Sequence, residues 1–374
     1  MIRHFFNVII LTISLCNLQT IAQVSNSGLM DTVGGERIKN LSIGGYVDAY
    51  YGFNFSRPTT SDNPYFVSMN RHNEANINLA FLDIRYQSER VRARFVLGFG
   101  TYINANYSSE DGTIKNIVEG SVGYKLFSKK EIWVEAGVLG SPYTNESAIS
   151  RDHLMYTRSL APEYVPYYLS GVKLSVPLNK KWNAYLYLLN GWQQIKDQNT
   201  QKAIGTQIEY RPNSKNLFNW NTFIGDERSP INPNNRTRYF TDIYWIYNPD
   251  GKFSITSCAY IGLQQKLNSI NTINNHTWWQ VNFIGRYTFT EKFSLSGRVE
   301  YFSDPASVQI TPITGVTGFQ TSSAGLCANL KLANNLLFRF EGRKFFSSEN
   351  MFTNKNGSPN NTSTWLISSV TVWF

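Results

Sequence analysis

"VRARFVLGFG", residues Val91–Gly100, alternates so strictly that it reports its own surroundings. Val91, Ala93, Phe95, Leu97 and Phe99 share one face of an extended chain. Arg92, Arg94, Gly98 and Gly100 share the other, with Val96 the one apolar side chain among them. A period of two is a strand's period, not a helix's. Two arginines facing one way and two phenylalanines the other require water on one side and an apolar medium on the opposite side. A charge at Leu97 is therefore expected to meet that medium, and one at Gly98 to be better tolerated while narrowing whatever the other face encloses.

The pattern recurs. "FSLSGRVEYF" (Phe293–Phe302) sets Phe293, Leu295, Val299 and Tyr301 against Ser294, Ser296, Arg298 and Glu300. "LLFRFEGRKF" (Leu336–Phe345) sets Leu336, Phe338 and Phe340 against Arg339, Glu341 and Arg343. A soluble antiparallel sandwich also alternates, but it does not usually carry pairs of charges on one face of successive strands. Lipid outside and water inside explain them. From Leu41 to Phe374 about sixteen such segments follow one another, each near the ~10 residues a tilted membrane strand needs. The expected fold is all-β: a transmembrane antiparallel up-and-down barrel.

The final stretch, "TWLISSVTVWF" (Thr364–Phe374), fits that reading. Leu366, Ser368, Val370, Val372 and Phe374 form a mostly apolar face, and the residues between them are more mixed. An unpaired aromatic edge would be a liability in a soluble sheet. As the closing stave, paired with the first strand "IGGYVDAYYGFNF", it turns Phe374 toward lipid.

Composition agrees. The chain has 374 residues, 15% of them aromatic, yet its mean hydropathy is only −0.30. Many aromatics with low hydropathy suit a barrel, where alternate residues face lipid and aromatic girdles mark both interfaces. No run downstream of the leader approaches the ~20 apolar residues of a membrane helix. Residues 1–23 read as a cleaved secretory signal peptide: Arg3, the apolar stretch "FFNVIILTISL", then Thr20-Ile21-Ala22. Leu15 is too large for the position before a lipoprotein's Cys16. Residues 24–40 form a short polar leader and residues 41–374 the barrel, in one domain. Cys258 and Cys327 fall on strands that are not neighbours, so no bridge is expected. The formal charge of +9 points to anionic headgroups or an anion-favouring passage rather than to nucleic acid, for which no motif exists.

The connections carry a second signal. Short ones fall at 87–90, 128–131, 179–181, 211–216, 248–252, 290–292 and 333–335, many with the Asn, Asp or Gly that tight turns favour. Long polar ones (57–72, 104–115, 141–166, 304–320, 347–363) alternate with them, few places excepted. Outer-membrane barrels have short periplasmic turns and long extracellular loops.

Several stretches together resemble a known family. "GYVDAYYGFNFSRP", "NRHNE" at Asn70–Glu74, "SERVRARFVLGFGTYINANY", "KNIVEG", "WVEAGV", "ESAIS", "TRSLAPEYVPYY" and "LLNGWQ" are similar to the OmpL-like β-barrel porins of Bacteroidetes-type bacteria. The resemblance runs from about Leu41 to about Phe240. Beyond that only the strand pattern and the terminal aromatic continue. It implies an outer-membrane porin with no catalytic residues to carry over. It also implies that the strand ending at Phe374 is read by the outer-membrane insertion machinery.

Parity assigns the charges of the inner face. Arg85, Arg92, Arg94, Lys125, Lys173, Arg286, Arg298, Arg339 and Arg343 stand against Asp48, Asp83, Glu119, Glu135, Glu209, Glu300 and Glu341. Most are expected to pair and brace the wall, leaving a mild anion preference. The third long connection brings Glu146, Arg151, Asp152, Arg158 and Glu163. Either it folds into the bore as a constriction, by analogy with general porins, or it packs outside as a cap. Both readings stand at this point. Enzymatic readings are weak: His72, His153 and His276 all fall in expected loops, outside any nucleophile motif or metal-ligand spacing. No metal or cofactor is expected. The function indicated is passive diffusion of small hydrophilic solutes. The alternatives are a surface-binding or adhesion barrel and, further off, a lipid hydrolase.

Overall fold

The computed structural model describes residues 37–374 apart from 39, 59 and 250; the expected signal peptide (1–23) and most of the expected leader (24–40) lie outside the described residues. Sixteen long antiparallel strands follow one another: β1 (Leu41–Asn54), β2 (Ala75–Gln87), β3 (Val91–Phe99), β4 (Ile117–Phe127), β5 (Lys130–Gly140), β6 (Tyr168–Pro177), β7 (Trp182–Leu189), β8 (Ala203–Asn213), β9 (Asn216–Asp226), β10 (Asn235–Tyr247), β11 (Phe253–Leu267), β12 (Ile273–Thr288), β13 (Phe293–Asp304), β14 (Phe319–Ala333), β15 (Leu336–Phe346) and β16 (Thr362–Trp373). Each pairs with its sequence neighbours. β16 pairs with β1 from Trp365 opposite Asn54 to Trp373 opposite Tyr46, which closes the sheet. Closure leaves no edge, so every ladder group is satisfied inside the sheet. Phe374 extends the seam, donating to and accepting from the Gly45 backbone at 3.1 and 2.9 Å. Arg37–Ile38 adds a two-residue pairing at the start of β1.

The outer face is what the alternation requires. Val122 and Leu326 are about three-fifths exposed, and Phe95, Phe283, Val299, Phe340 and Val370 are also on the surface. At the end carrying the short turns, aromatic rings form a girdle. Trp182, Tyr210, Phe218 and Trp245 stack in succession at 4.3, 6.1 and 6.1 Å, and Tyr287, Phe289 and Phe293 follow at 4.7 and 5.6 Å. Outward hydroxyls are satisfied locally, as lipid demands: Thr206 bonds Thr222 at 2.6 Å, and Ser257 donates to the Asn282 carbonyl at 2.7 Å.

Short turns and longer loops alternate around the rim. The exception is the β11–β12 connection, residues 268–272, which is as short as a turn although it sits at the loop end. His276 is not in a loop. It lies on β12 opposite Gln264, because the ladder to β11 extends the strand through an Asn-rich stretch that reads locally as a turn.

Gly98 also departs from expectation. It is on the inner face, but the space beside it is filled: a Cβ there would stand 2.3 Å from Val118 Cγ2 and 3.1 Å from Ile103 Cδ1. The helix α1 (Thr101–Asn106) folds back inside β3 and buries Tyr102 and Ile103 against Val96 and Val118. The one apolar side chain on that face of β3 is there to receive it.

Candidate functional site

The site is the interior of the barrel, and one loop dominates it. Residues 141–167, between β5 and β6, run inward, and nearly all are buried. The loop's 3-10 turn, Ser150–Asp152, reaches Tyr46 of β1, whose hydroxyl bonds Ser150 Oγ at 2.8 Å. Arg151 lies over the Trp373 ring at 4.5 Å. Tyr46 is eight residues along β1 from the loop-end residue Asn54 (54 − 46), so the loop descends past the middle of the strand.

What holds it there is a set of charged side chains on β13–β15. Glu341 accepts the Tyr156 and Thr157 N–H groups at 2.9 Å each and pairs with Arg298 at 3.0 Å. Glu300 accepts the Leu160 N–H at 2.6 Å and pairs with Arg343. Arg298 donates to the Thr157 carbonyl at 2.7 Å and Arg343 to that of Arg158 at 2.7 Å. Arg339 donates to the carbonyls of Ser150, Met155 and His153 at 2.6, 3.1 and 2.9 Å. A loop inside a barrel cannot satisfy its backbone with strand ladders, so it needs partners of this kind.

The loop's own charges fold it rather than line it. Arg158 donates to the carbonyls of Ser147 and Ala148, pulling the two limbs together. Glu146 accepts the Ser159 N–H at 2.9 Å across the same span. Glu163, in the short helix α2 (Leu160–Glu163), accepts the Val67 and Ser68 N–H groups at 2.7 and 3.2 Å, tying the loop to the β1–β2 connection. Burial pushes the Asp152 carboxyl up to about 7, against the pull of Arg151 and Arg339. Burial also holds the His153 imidazole well below its usual range, and its Nε2 accepts the Ser147 N–H at 2.8 Å. His72 Nδ1 accepts the Asn54 N–H at 2.9 Å, a loop-end tie.

The remaining inner-face charges pair in a second network at the turn end of β2–β6. Asp83 meets Arg85 and Arg94 at 2.8 Å each, and Arg94 reaches Glu119 at 2.9 Å. Glu135 is shared by Arg92 and Lys173 at 2.6 Å each. Lys125 pairs with Glu131. Asp48 is held by Asn78 and Thr371 at 2.9 Å each, and Glu209 by Tyr185 at 2.8 Å. Arg286 stands apart: among the described residues it reaches Asn248 and Ser254 at 3.4 and 3.3 Å.

Sequence reasoning overlooked Asp242 and Arg238. Asp242 accepts the Thr144 N–H at 2.7 Å, the loop's tie to β10, and Arg238 lies between the Trp192 and Trp278 rings at 5.0 and 5.3 Å. Both follow from the alternation of "RYFTDIYW", which places 238, 240, 242 and 244 together. Among the described residues no cluster of His, Cys, Asp and Glu could hold a metal ion, and Cys258 and Cys327 are free and buried.

Comparison with known proteins gives one family and one fold. The family model described as "Putative beta-barrel porin-2, OmpL-like" matches residues 40–374. No curated protein matches in sequence. Among solved structures, the outer membrane channel DcaP of Acinetobacter baumannii superposes with a TM-score of 0.59 at 9% identity, covering 91% of this chain and all of that one. OmpT, an outer membrane protein of Vibrio cholerae, gives 0.57 at 10% identity, covering 91% of this chain and 100% of its own. An anion-selective porin from Comamonas acidovorans gives 0.55 at 8%, covering 89% of this chain and 99% of that one. At these identities the likeness is one of fold.

Proposed function

The chain belongs to the OmpL-like beta-barrel porin family, and from that premise we propose that it is an outer-membrane channel for the passive diffusion of small hydrophilic solutes, narrowed by its third long loop. The turns face the periplasm and the loops the outside. The observation that carries the reading is the inward course of residues 141–167 and the charged ties from β13–β15 that hold it. A loop serving as an external cap has no use for three buried arginines aimed at its carbonyls. The solutes expected to pass are small. The charge preference is expected to be mild, because most wall cations already face a carboxylate. No cofactor or energy source enters the mechanism.

Liposome swelling tests it. Folded protein in proteoliposomes should admit a monosaccharide quickly and larger sugars progressively more slowly. Equal rates at all sizes, or rates no greater than empty liposomes, would overturn the reading. The adhesion alternative finds its support in the loop end, where Tyr65 ties the β1–β2 connection to three others through Met351, Ile313 and Tyr164. A barrel that binds cells but passes no solute would favour that alternative.

A further inference from the structure

The charges described above crowd two sectors of the inner wall, and β8–β12 form a third that is nearly neutral. Register stacks its inner side chains in rows. Phe223, Phe240 and Trp278 lie in one row, with Gly205 and Gly262 as their register partners. Gly262 has to be glycine, since a Cβ there would stand 2.1 Å from the Trp278 ring. One step nearer the turn end run Gln207, Asn221, Asp242, Tyr260 and Gln280. The next row includes Asn219 and Asn282.

Five buried polar atoms on this one patch have no hydrogen-bond partner among the described residues: Asn219 Nδ2, Asn221 Oδ1, the Tyr260 hydroxyl, Trp278 Nε1 and Gln280 Oε1. Each such atom ordinarily costs a fold about 1–3 kcal/mol, so a cluster of them calls for an explanation. The set has a chemistry. Two are N–H donors, two are carbonyl acceptors, the hydroxyl does both, and none is charged. Ring faces flank them: Trp192 lies 4.9 and 5.0 Å from Phe223 and Phe240, and Phe240 lies 5.1 Å from Tyr260. Of the sector's cations, Arg238 is taken up between two indoles and Arg286 lies six residues further along β12 than Gln280, and Asp242 is bonded to Thr144 and Asn221. Hydroxyl groups are what donate and accept without charge. The C–H faces of a sugar ring are what lie flat on indole and phenyl rings.

We infer that the β9–β12 inner wall is a binding site for a neutral saccharide, exposed when Trp192 and the Tyr143–Asn145 segment move off it. Trp192 is the half-buried member and Trp278 is fully covered, so the cover is on the loop side. The ties of Pro142–Asn145 to this wall run through one charged side chain, Asp242, which accepts the Thr144 N–H at 2.7 Å, and through the neutral Asn221, Thr256 and Asn282 at 2.9, 2.9 and 3.0 Å, whereas five charged side chains hold the loop on β13 and β15. The inference rests on the proposed passage of solutes, and its test separates the two.

Full-length folded protein in a planar bilayer is titrated with a neutral disaccharide, with polyethylene glycol of equal hydrodynamic size, and with inorganic phosphate. The disaccharide should block current saturably, and the polymer should not. Tyr260→Phe and Gln280→Leu should each weaken the block about tenfold, the loss expected for one well-placed hydrogen bond. Equal, non-saturating effects of sugar and polymer would overturn the inference. So would a saturable block by phosphate alone, which would move the site to Arg286. Tryptophan fluorescence is titrated in parallel. If folded protein conducts nothing, the passage reading fails by itself, and saturable quenching by the disaccharide, lost in Tyr260→Phe, still supports the site. Quenching that never saturates rejects it.

Discussion

Leu97 and Gly98 are neighbours on β3 and face opposite media. An arginine at 97 has to enter lipid and should cost roughly 2–4 kcal/mol if it lies near the bilayer midplane. At 98 even alanine is crowded, by Val118 and Ile103. Overpacking of this sort typically costs about 1–3 kcal/mol. Denaturant titration of the folded barrel should therefore find Gly98→Ala more damaging than Leu97→Ala. The reverse order would invert the assignment of faces on this strand. The inner charges allow a second comparison. Glu341 and Arg298 are wholly buried partners, and removing one charge of such a pair costs about 3–5 kcal/mol. Glu341→Leu should lower stability by that order. The double change Glu341→Leu, Arg298→Met should be milder than the sum, since no lone charge is left buried. Additive losses would mean that the two do not act as a pair. At this scale the alternation of "FSLSGRVEYF" was enough to put Arg298 and Glu300 on one face. It could not say that both would be consumed by a loop from β5–β6, because pairing depends on what approaches from across the lumen.

The elements divide into those the sequence spells and those it does not. Strands were legible because lipid and water impose the two-residue period, and turns because Asn, Asp and Gly punctuate them. The end of β12 was not: His276 sits among asparagines and polar residues that suggest a turn, and only the β11 ladder makes it strand. The course of residues 141–167 was equally illegible. Charge of both signs suits an exposed loop as well as a buried one, and its partners on β13 and β15 lie 140 or more positions away, as Leu160 and Glu300 do. The loop's docking should respond to pH through Asp152. Its carboxyl is held near 7 in place, against 3.8 ordinarily. Docking is therefore unaffected by this group below pH 4, weakens from about pH 4 to 7 as ionisation is suppressed in place, and levels off above that. Channel noise from loop movement should rise over the same interval and lose that rise in Asp152→Asn. A pH-independent noise spectrum in the wild type would contradict this.

The described residues form a closed sheet of sixteen long strands with an aromatic girdle, and α1 and the β5–β6 loop fold inward against its wall. Such a barrel should fractionate with the outer membrane and migrate differently on gels before and after heating. A soluble protein of unchanged mobility would end the membrane reading. If the β5–β6 loop narrows the bore, paired single-channel recordings of the wild type and a deletion of residues 148–160 in a planar bilayer should reveal it. Removing that stretch takes away the loop's deepest segment and the Ser150, Met155 and His153 carbonyls that occupy Arg339. The expected result is a folded, heat-modifiable mutant with clearly larger conductance and a stronger preference for anions. A mutant that folds and conducts like the wild type, with unchanged selectivity, would contradict it.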